Sequence, residues 1–188
     1  MSETAEGGRR KRADAQRNLG TLLQAAKAVF AISGVDAPVR EIADRAGVGI
    51  GTLYRHFPTR ADLIAAVFRQ EMDSCAEAAE TLAAAHPPFE ALSLWMDRFV
   101  ELAATKRGLA AALHSGDPAF EALPARREQR LVPAFQALFA AAVAAGEIRG
   151  DVDAGGFLNA VARLCMSSDD QARRMVGVLV DGLRYGPR

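Results

Sequence analysis

Cysteine is scarce in this 188-residue chain, which contains only Cys75 and Cys165. Two cysteines so far apart exclude a disulfide framework and a CxxC zinc site, so we expect a reducing compartment such as the cytoplasm. Long hydrophobic runs are missing as well, since the longest, Ala137 to Ala145, is well short of the about 20 residues needed to span a bilayer. The polar beginning of the chain lacks an apolar central segment, so we expect no signal peptide and a soluble protein.

Net charge is also absent, because 23 Lys and Arg balance 23 Asp and Glu. This balance excludes a uniformly basic nucleic-acid binder. Residues 1–60 nevertheless hold 10 basic against 6 acidic residues, whereas residues 61–188 hold 13 against 17. A basic first part on an acidic remainder is expected when only one end of a protein meets a polyanion; chance clustering is the alternative.

Aromatic residues make up only 6% of the chain, and no stretch keeps the polar–apolar alternation of a strand. Apolar residues recur instead at helical spacing, which predicts an all-α fold. The predicted helices lie at about 15–33, 38–45, 49–55, 59–84, 88–105, 124–145, 153–166 and 168–184. Thr59, with Asp62 three residues later, predicts a capping box at the start of the long fourth helix.

The stretch AGVGIGTLYRHFP (residues 46–58) contains three alternating glycines and could be a phosphate-binding loop. The dinucleotide fingerprint GxGxxG fails in both registers, because Thr52 or Tyr54 stands where its last glycine belongs. A helix is predicted before it where a strand is required, and no Gly-Lys pair exists for a Walker loop. GxSxG and HExxH motifs are missing too. We therefore expect no enzyme, no catalytic residue, no cofactor and no metal site.

The same stretch fits the second half of a helix-turn-helix. VREIADRA forms the predicted first helix, Gly47-Val48 begins the turn, and IGTLYRH forms the second helix. Ile42, Ala43 and Leu53 join Val48 in a small shared core. Gly47 can adopt the left-handed conformation that ends a helix. The remaining glycines leave the front of the second helix bare, as a close approach to DNA would require.

Polar side chains follow on the exposed part of this second helix, namely Thr52, Tyr54, Arg55 and His56. Thr and Arg can contact base edges, whereas Tyr and His suit phosphates. Arg40 points toward the same groove mouth, and Arg60 with the start of the following helix can hold a phosphate. In the alternative interpretation Tyr54 and Phe57 are core residues, and this is the favoured one for Phe57.

The segment VREIADRAGVGIGTLYRHFPTRADL resembles the signature of the tetracycline-repressor (TetR) family, and the likeness extends over about residues 15–65. The resemblance implies three DNA-binding helices, a fourth that links them to the body, and a helical C-terminal domain, about nine helices in total. The resulting domains are a flexible basic arm (1–14), a helix-turn-helix domain (15–60) and a regulatory and dimerisation domain (61–188). The arm, basic at residues 9–12, either touches DNA or is a solvated terminus.

The family's usual DNA contacts fall at Arg40, Thr52, Tyr54, His56 and Arg60. The full predicted DNA-binding set adds Gly49, Ile50, Gly51, Arg55 and Thr59. Two features depart from the family pattern: Gly49-Ile50 replaces a pair that is polar in many members, and Pro38 replaces a Ser or Thr cap. Base readout then rests on fewer side chains, which leaves more to DNA shape.

The resemblance also implies that the C-terminal body dimerises and holds a small-molecule pocket. The predicted dimer face, which could alternatively be protomer core, consists of Phe157, Val161, Leu164, Met175, Val176, Leu179 and Leu183. The predicted pocket residues, which could alternatively be ordinary core, are Trp95, Met96, Phe99, Phe120, Phe135, Phe139 and Met166. If one faced inward, an acidic residue would favour a cationic ligand; the candidates are Glu90, Asp97, Glu101 and Glu128.

The expected function is a transcriptional repressor that binds a palindromic operator as a homodimer and is released by a small hydrophobic ligand. Two alternatives stay open. One is an activator or an effector-independent regulator of the same fold. The other is a helical protein-interaction module that does not bind DNA.

Overall fold

The computed structural model describes residues 3–165 and 169–185, with side chains from residue 18 onward except at position 169. The helices are α1 (Glu3–Ser33), α2 (Val39–Ala46), α3 (Ile50–His56), α4 (Arg60–Ala85), α5 (Pro88–Gly108), α6 (Ala110–Leu113), α7 (Leu123–Arg126), α8 (Val132–Ala144), α9 (Ala154–Leu164) and α10 (Asp169–Gly182). A π-helical turn, Arg127–Leu131, joins α7 to α8. Because residues 123–144 form one continuous helical segment, the described residues form nine α-helical segments and no strand. This confirms the all-α prediction.

The first helix begins much earlier than its sequence predicts. It starts at Glu3 rather than near residue 15, so the structure places residues 3–14, the greater part of the predicted arm, on α1. No proline lies between residues 3 and 33, and acidic Glu3 and Glu6 suit the positive end of a helix dipole. Nothing in this stretch therefore forces a later start.

Helices α1 to α3 form a compact unit around a shared apolar core. Val29 of α1, Ile42 of α2 and Leu53 of α3 are almost completely buried. Gly47 ends α2 with a left-handed φ of 68°, and its N–H donates to the carbonyls of Ala43 and Asp44. The turn therefore has the geometry that the sequence predicts. Phe57 is buried against this core, which confirms its favoured interpretation.

Helix α4 begins immediately after the turn that follows α3 and runs into the body. Asp62 N–H donates to Thr59 Oγ1 at 3.0 Å, and Thr59 N–H donates to Asp62 Oδ2 at 3.0 Å. This reciprocal pair is the predicted capping box. One continuous helix thus connects the helix-turn-helix to the C-terminal body.

The body packs α4, α5, α8, α9 and α10 around an aromatic cluster. Trp95 and Phe135 are fully buried, with ring centroids 5.8 Å apart, and Phe157 stacks on Phe135 at 6.2 Å. Trp95 Nε1 donates to the carbonyl of Cys75 at 2.8 Å, which satisfies the indole and ties α5 to α4. Among the described residues no helix combines the length and apolarity needed to cross a bilayer.

Candidate DNA-binding surface and effector cavity

Helix α3 buries one side and presents the rest to solvent. Leu53 is only 1% exposed and anchors the helix, whereas Ile50 is 40% and Tyr54 48% exposed. Arg55 and His56 are exposed, and Thr52 is half-buried. Because residues 46–60 contain no Asp or Glu, the electrostatic character of this segment is positive. The exposed side of α3 therefore offers hydrogen-bond donors and an apolar tip with no carboxylate of its own.

The glycines at the front of α3 are not required by packing within the protein. A Cβ added at Gly49 or Gly51 meets no atom within 4 Å, and neither residue has a positive φ. Gly49 precedes the helix in an extended conformation that other residues adopt. The fold of the protomer therefore leaves room for a side chain at both positions.

Arg40 and Arg60 have different environments. Arg40 is exposed near the start of α2. The Arg60 guanidinium is half-buried, and its Nη1 donates to the carbonyls of Val35 and Ala37 at 2.5 and 2.8 Å. Arg60 thereby fastens the α1–α2 connection to the start of α4, so its Nη1 is already engaged within the protein.

Thr59 is likewise engaged inside the protein. Its hydroxyl donates to Asp62 Oδ2 at 2.8 Å, and the same carboxylate accepts the Thr59 backbone N–H. A carboxylate already occupies the start of α4, where a phosphate was expected. Like-charge repulsion there disfavours an anion, so the structure gives Thr59 the role of a helix cap.

A cavity of about 360 Å³ lies in the body between α4, α5, the 113–131 segment and α9. Its wall is mainly apolar and includes Phe68, Met72, Phe99, Leu102, Leu113, Phe120, Leu123, Leu131 and Cys165. Lys106, His114 and Pro124 line it and are exposed, so they mark its mouth. A concave apolar site with a few polar groups is the usual form of a small-molecule pocket.

The two cysteines are buried and chemically quiet. Burial raises the pKa of the Cys75 thiol to about 12 and raises the pKa of the Cys165 thiol as well. Both therefore stay protonated near neutral pH, where a thiol is a poor nucleophile. Cys165 contributes to the cavity as an apolar wall residue.

Two family models match the chain, one on each part of the fold. The model described as "Bacterial regulatory proteins, tetR family" matches residues 22–67. The model described as "Transcriptional regulator SbtR-like, C-terminal domain" matches residues 87–185, more than half of the chain. The chain belongs to the TetR family. The likeness noted over residues 15–65 is thereby confirmed, and the chain is a TetR-family transcriptional regulator.

Solved structures and a curated relative agree with this assignment. The TetR transcriptional regulator SCO0520 from Streptomyces coelicolor is 39% identical, with a TM-score of 0.77 over 88% of this chain and 97% of that one. A TetR transcription regulatory protein from Mycobacterium vanbaalenii is also 39% identical, with a TM-score of 0.75 over 93% and 99%. The HTH-type transcriptional repressor KstR from Mycobacterium tuberculosis is 27% identical over 149 residues, which is 78% of this chain and 64% of KstR. The match therefore spans less than two thirds of that relative.

The cavity of this TetR-family chain is lined differently from the sequence-based expectation. Of the expected residues, Phe99 and Phe120 lie on its wall. Trp95, Met96, Phe135 and Phe139 are instead buried in the core and do not line it. Met166 lies outside the described residues. The aromatic cluster around Trp95 fills its own space, so these rings act as core.

Several wall residues were missed by the sequence-based expectation. Phe68 and Met72 lie one turn apart on α4, a helix that the sequence indicated only as a link to the body. Lys106 and Arg127 are cations, whereas the charged candidates in the sequence analysis were acidic. The four acidic candidates, Glu90, Asp97, Glu101 and Glu128, are exposed and do not line the cavity. The helix-breaking residues between Gly108 and Pro118 were the sequence signal for this part of the cavity wall, because an irregular segment of this kind can fold back over α4.

The predicted dimer face also needs correction. Phe157, Val161, Val176 and Leu183 are buried within the protomer, where they pack α9 and α10 onto the body. Leu164 and Leu179 are half-buried, and Met175 is 43% exposed. Val178 and Tyr185, which were not predicted, are 64% and 74% exposed. The exposed Met175, Val178 and Tyr185 therefore form an apolar strip along α10 and just beyond its end, which shares only Met175 with the predicted face.

Proposed function

We propose that this chain is a DNA-binding repressor that recognises a palindromic operator as a homodimer and is released by a small apolar molecule. The proposal places it in the cytoplasm and gives it no catalytic role. The observation that carries it is α3, a solvent-exposed helix with donor side chains, no carboxylate and a bare glycine front. The name of its relative KstR, a transcriptional repressor, supports repression over activation.

The proposed DNA contacts come from α3 and the start of α2. The set comprises Arg40, Gly49, Ile50, Gly51, Thr52, Tyr54, Arg55 and His56. Arg55 can donate two hydrogen bonds to guanine, and the exposed Ile50 can contact a thymine methyl. Tyr54 and His56 suit phosphate oxygens. Thr59 and Arg60 enter this proposal as structural residues that cap α4 and tie the α1–α2 connection to its start.

Dimerisation is proposed through the outward faces of α9 and α10. The exposed apolar strip of Met175, Val178 and Tyr185 lies beside the half-buried Leu179. On α9, small Gly156 and Ala160 are exposed and permit close helix approach. A two-fold axis through this face would pair two recognition helices on successive major grooves of one operator.

Release is proposed to act through α4. The cavity wall includes Phe68 and Met72 of α4, and α4 begins just beyond α3. Lys27 Nζ of α1 also contacts Glu71 Oε2 of α4 at 2.5 Å, which joins the DNA-binding unit to the same helix. A ligand that favours a shifted α4 would misplace α3, and it would weaken DNA binding by that difference in affinity.

Footprinting on the DNA upstream of the protein's own coding sequence tests this function. We expect a protected palindrome, and affinity for it should fall steeply as salt rises because phosphate neutralisation releases counterions. A scrambled duplex of equal length and composition is the control. Equal affinity for both duplexes would contradict operator recognition. The absence of any salt-sensitive complex with upstream DNA would favour the helical interaction module instead.

A further inference from the structure

The cavity wall carries charge of one sign only. Its basic side chains are Lys106, His114 and Arg127, and no Asp or Glu lines it within the described part of the chain. Positive groups at an otherwise apolar cavity attract an anion and repel a cation of the same shape. The acidic residues that the sequence offered as pocket candidates lie elsewhere on the surface. The cavity wall is therefore positively charged, whereas those residues would have made it negative.

The two cations differ in how far they are already neutralised. Arg127 Nη1 pairs with the Glu128 carboxylate, and Arg127 Nη2 donates to Asn159 Oδ1 at 2.9 Å. Lys106 makes no ion pair among the described residues. One ammonium group therefore remains to be balanced, which fits a single negative charge better than a doubly charged phosphate.

The volume of the cavity limits the size of its ligand. A volume of about 360 Å³ lies near the lower end of the range for small-molecule sites, about 300–1,000 Å³. The ligand body must therefore be compact. Arg127 and Leu131 of the wall are the two ends of the π-helical turn, a local distortion that often occurs at functional sites.

We propose that the effector is a compact apolar molecule with one carboxylate, whose body lies among Phe68, Met72, Phe99 and Phe120 and whose carboxylate pairs with Lys106. This inference rests on the proposed release function, since it names the ligand class for that site. Exposure of Lys106 moderates the electrostatic gain, but it also leaves the ammonium free to meet the ligand at the mouth.

A head-group series tests the proposal on the full chain without DNA. Saturated C8, C10 and C12 carboxylates, the matching alcohols and the matching alkylammonium ions are titrated below their micellar concentrations by calorimetry. We expect at least one carboxylate to bind about tenfold more tightly than its alcohol, with the alkylammonium ion weakest. If no carboxylate binds, or if the alcohol or the ammonium ion binds equally well, the proposal is wrong.

Charge reversal at the mouth supplies the variants. Lys106→Glu should abolish the carboxylate preference and favour the alkylammonium ion, whereas Lys106→Gln should only equalise carboxylate and alcohol. Arg98→Glu is the matched control, because Arg98 is exposed on the same helix and lies outside the cavity. An unchanged preference in Lys106→Glu would overturn the role of Lys106.

The ligand class and the release function fail in different ways. A carboxylate that binds with the expected preference but leaves operator affinity unchanged contradicts release and upholds the ligand class. Operator release by alcohols or ammonium ions, with no carboxylate binding, upholds release and contradicts the ligand class.

Discussion

Gly51 of α3 separates a requirement of the fold from a requirement of DNA binding. An added Cβ meets nothing within 4 Å, and alanine is a better helix former than glycine by about 1 kcal/mol. Gly51→Ala should therefore leave the free energy of unfolding unchanged or raise it slightly, while operator affinity falls because a methyl group enters the gap between helix and DNA. Urea unfolding and a gel-shift titration measure the two effects.

Gly20→Ala is the control for this change. Gly20 lies inside α1, outside the proposed DNA contacts, and a Cβ there also meets open space. It should gain similar stability and keep full operator affinity. Undiminished DNA binding by Gly51→Ala would contradict the proposed close approach at α3.

Arg55 and Arg60 are neighbouring basic residues with opposite expected roles. Arg60→Gln should lower the free energy of unfolding by about 1–3 kcal/mol, because it removes charged donors from two backbone carbonyls. Arg55→Gln should leave stability unchanged and reduce discrimination between operator and scrambled DNA by about 1–3 kcal/mol if Arg55 reads guanine. Denaturation and competition binding are measured for both variants. Lower stability of Arg55→Gln together with lower discrimination by Arg60→Gln would contradict these roles.

Helices α4 and α7 are joined by a bidentate ion pair close to the cavity. Arg126 Nε and Nη2 donate to the Asp73 carboxylate at 2.8 and 2.5 Å, and the hydrogen bond to Asp73 raises the pKa of Arg126. Arg130 reaches Glu77 of α4 at 3.2 Å. These contacts tie the helical segment that forms one cavity wall to the helix that continues toward α3.

A double-mutant cycle on Asp73→Asn and Arg126→Gln measures this link. We expect a coupling energy of about 0.5–1.5 kcal/mol in unfolding, because the pair is bidentate and partly buried. The pair Arg149–Asp151, only two residues apart in sequence and with a more exposed carboxylate, is the control and should show weaker coupling. Additive effects at Asp73 and Arg126 would show that the pair does not join the two helices energetically.

The whole molecule is expected to be a dimer through α9 and α10. Val178→Glu places a charge in the exposed apolar strip, so it should yield particles of the 20.0 kDa chain mass where the parent protein shows twice that mass. Light scattering measures the change, and circular dichroism should show unchanged helix content. Operator affinity should fall as well, because two linked recognition helices bind together more tightly than one.

Ile32→Glu is the control for the dimer. Ile32 is 76% exposed on α1, so the substitution adds the same charge to an exposed apolar residue away from α9 and α10. It should leave the mass unchanged. A parent protein of 20.0 kDa at micromolar concentration would contradict the proposed dimer.

The helix-turn-helix could be predicted closely from local sequence, whereas the cavity wall and the exposed apolar residues of the body could not. Gly47, the apolar spacing of Ile42 and Leu53, and the Thr59–Asp62 cap act within one or two turns, so their neighbours in sequence are their partners in space. Arg60 shows the limit of this approach. Its partners are the carbonyls of Val35 and Ala37, more than twenty residues away, and no local pattern reveals them.

The helical class, the recognition helix and its exposed polar face follow from composition, periodicity and turn chemistry. These features depend on geometry between residues that are near each other in sequence. The assignment of apolar residues to core, cavity or surface depends on long-range packing. Trp95 and Phe99 are one turn apart on α5, yet one fills the core and the other lines the cavity. Val176 and Val178 divide between core and surface in the same way. A helix that is apolar on several sides does not show which side its partners will cover, and those partners come from distant parts of the chain.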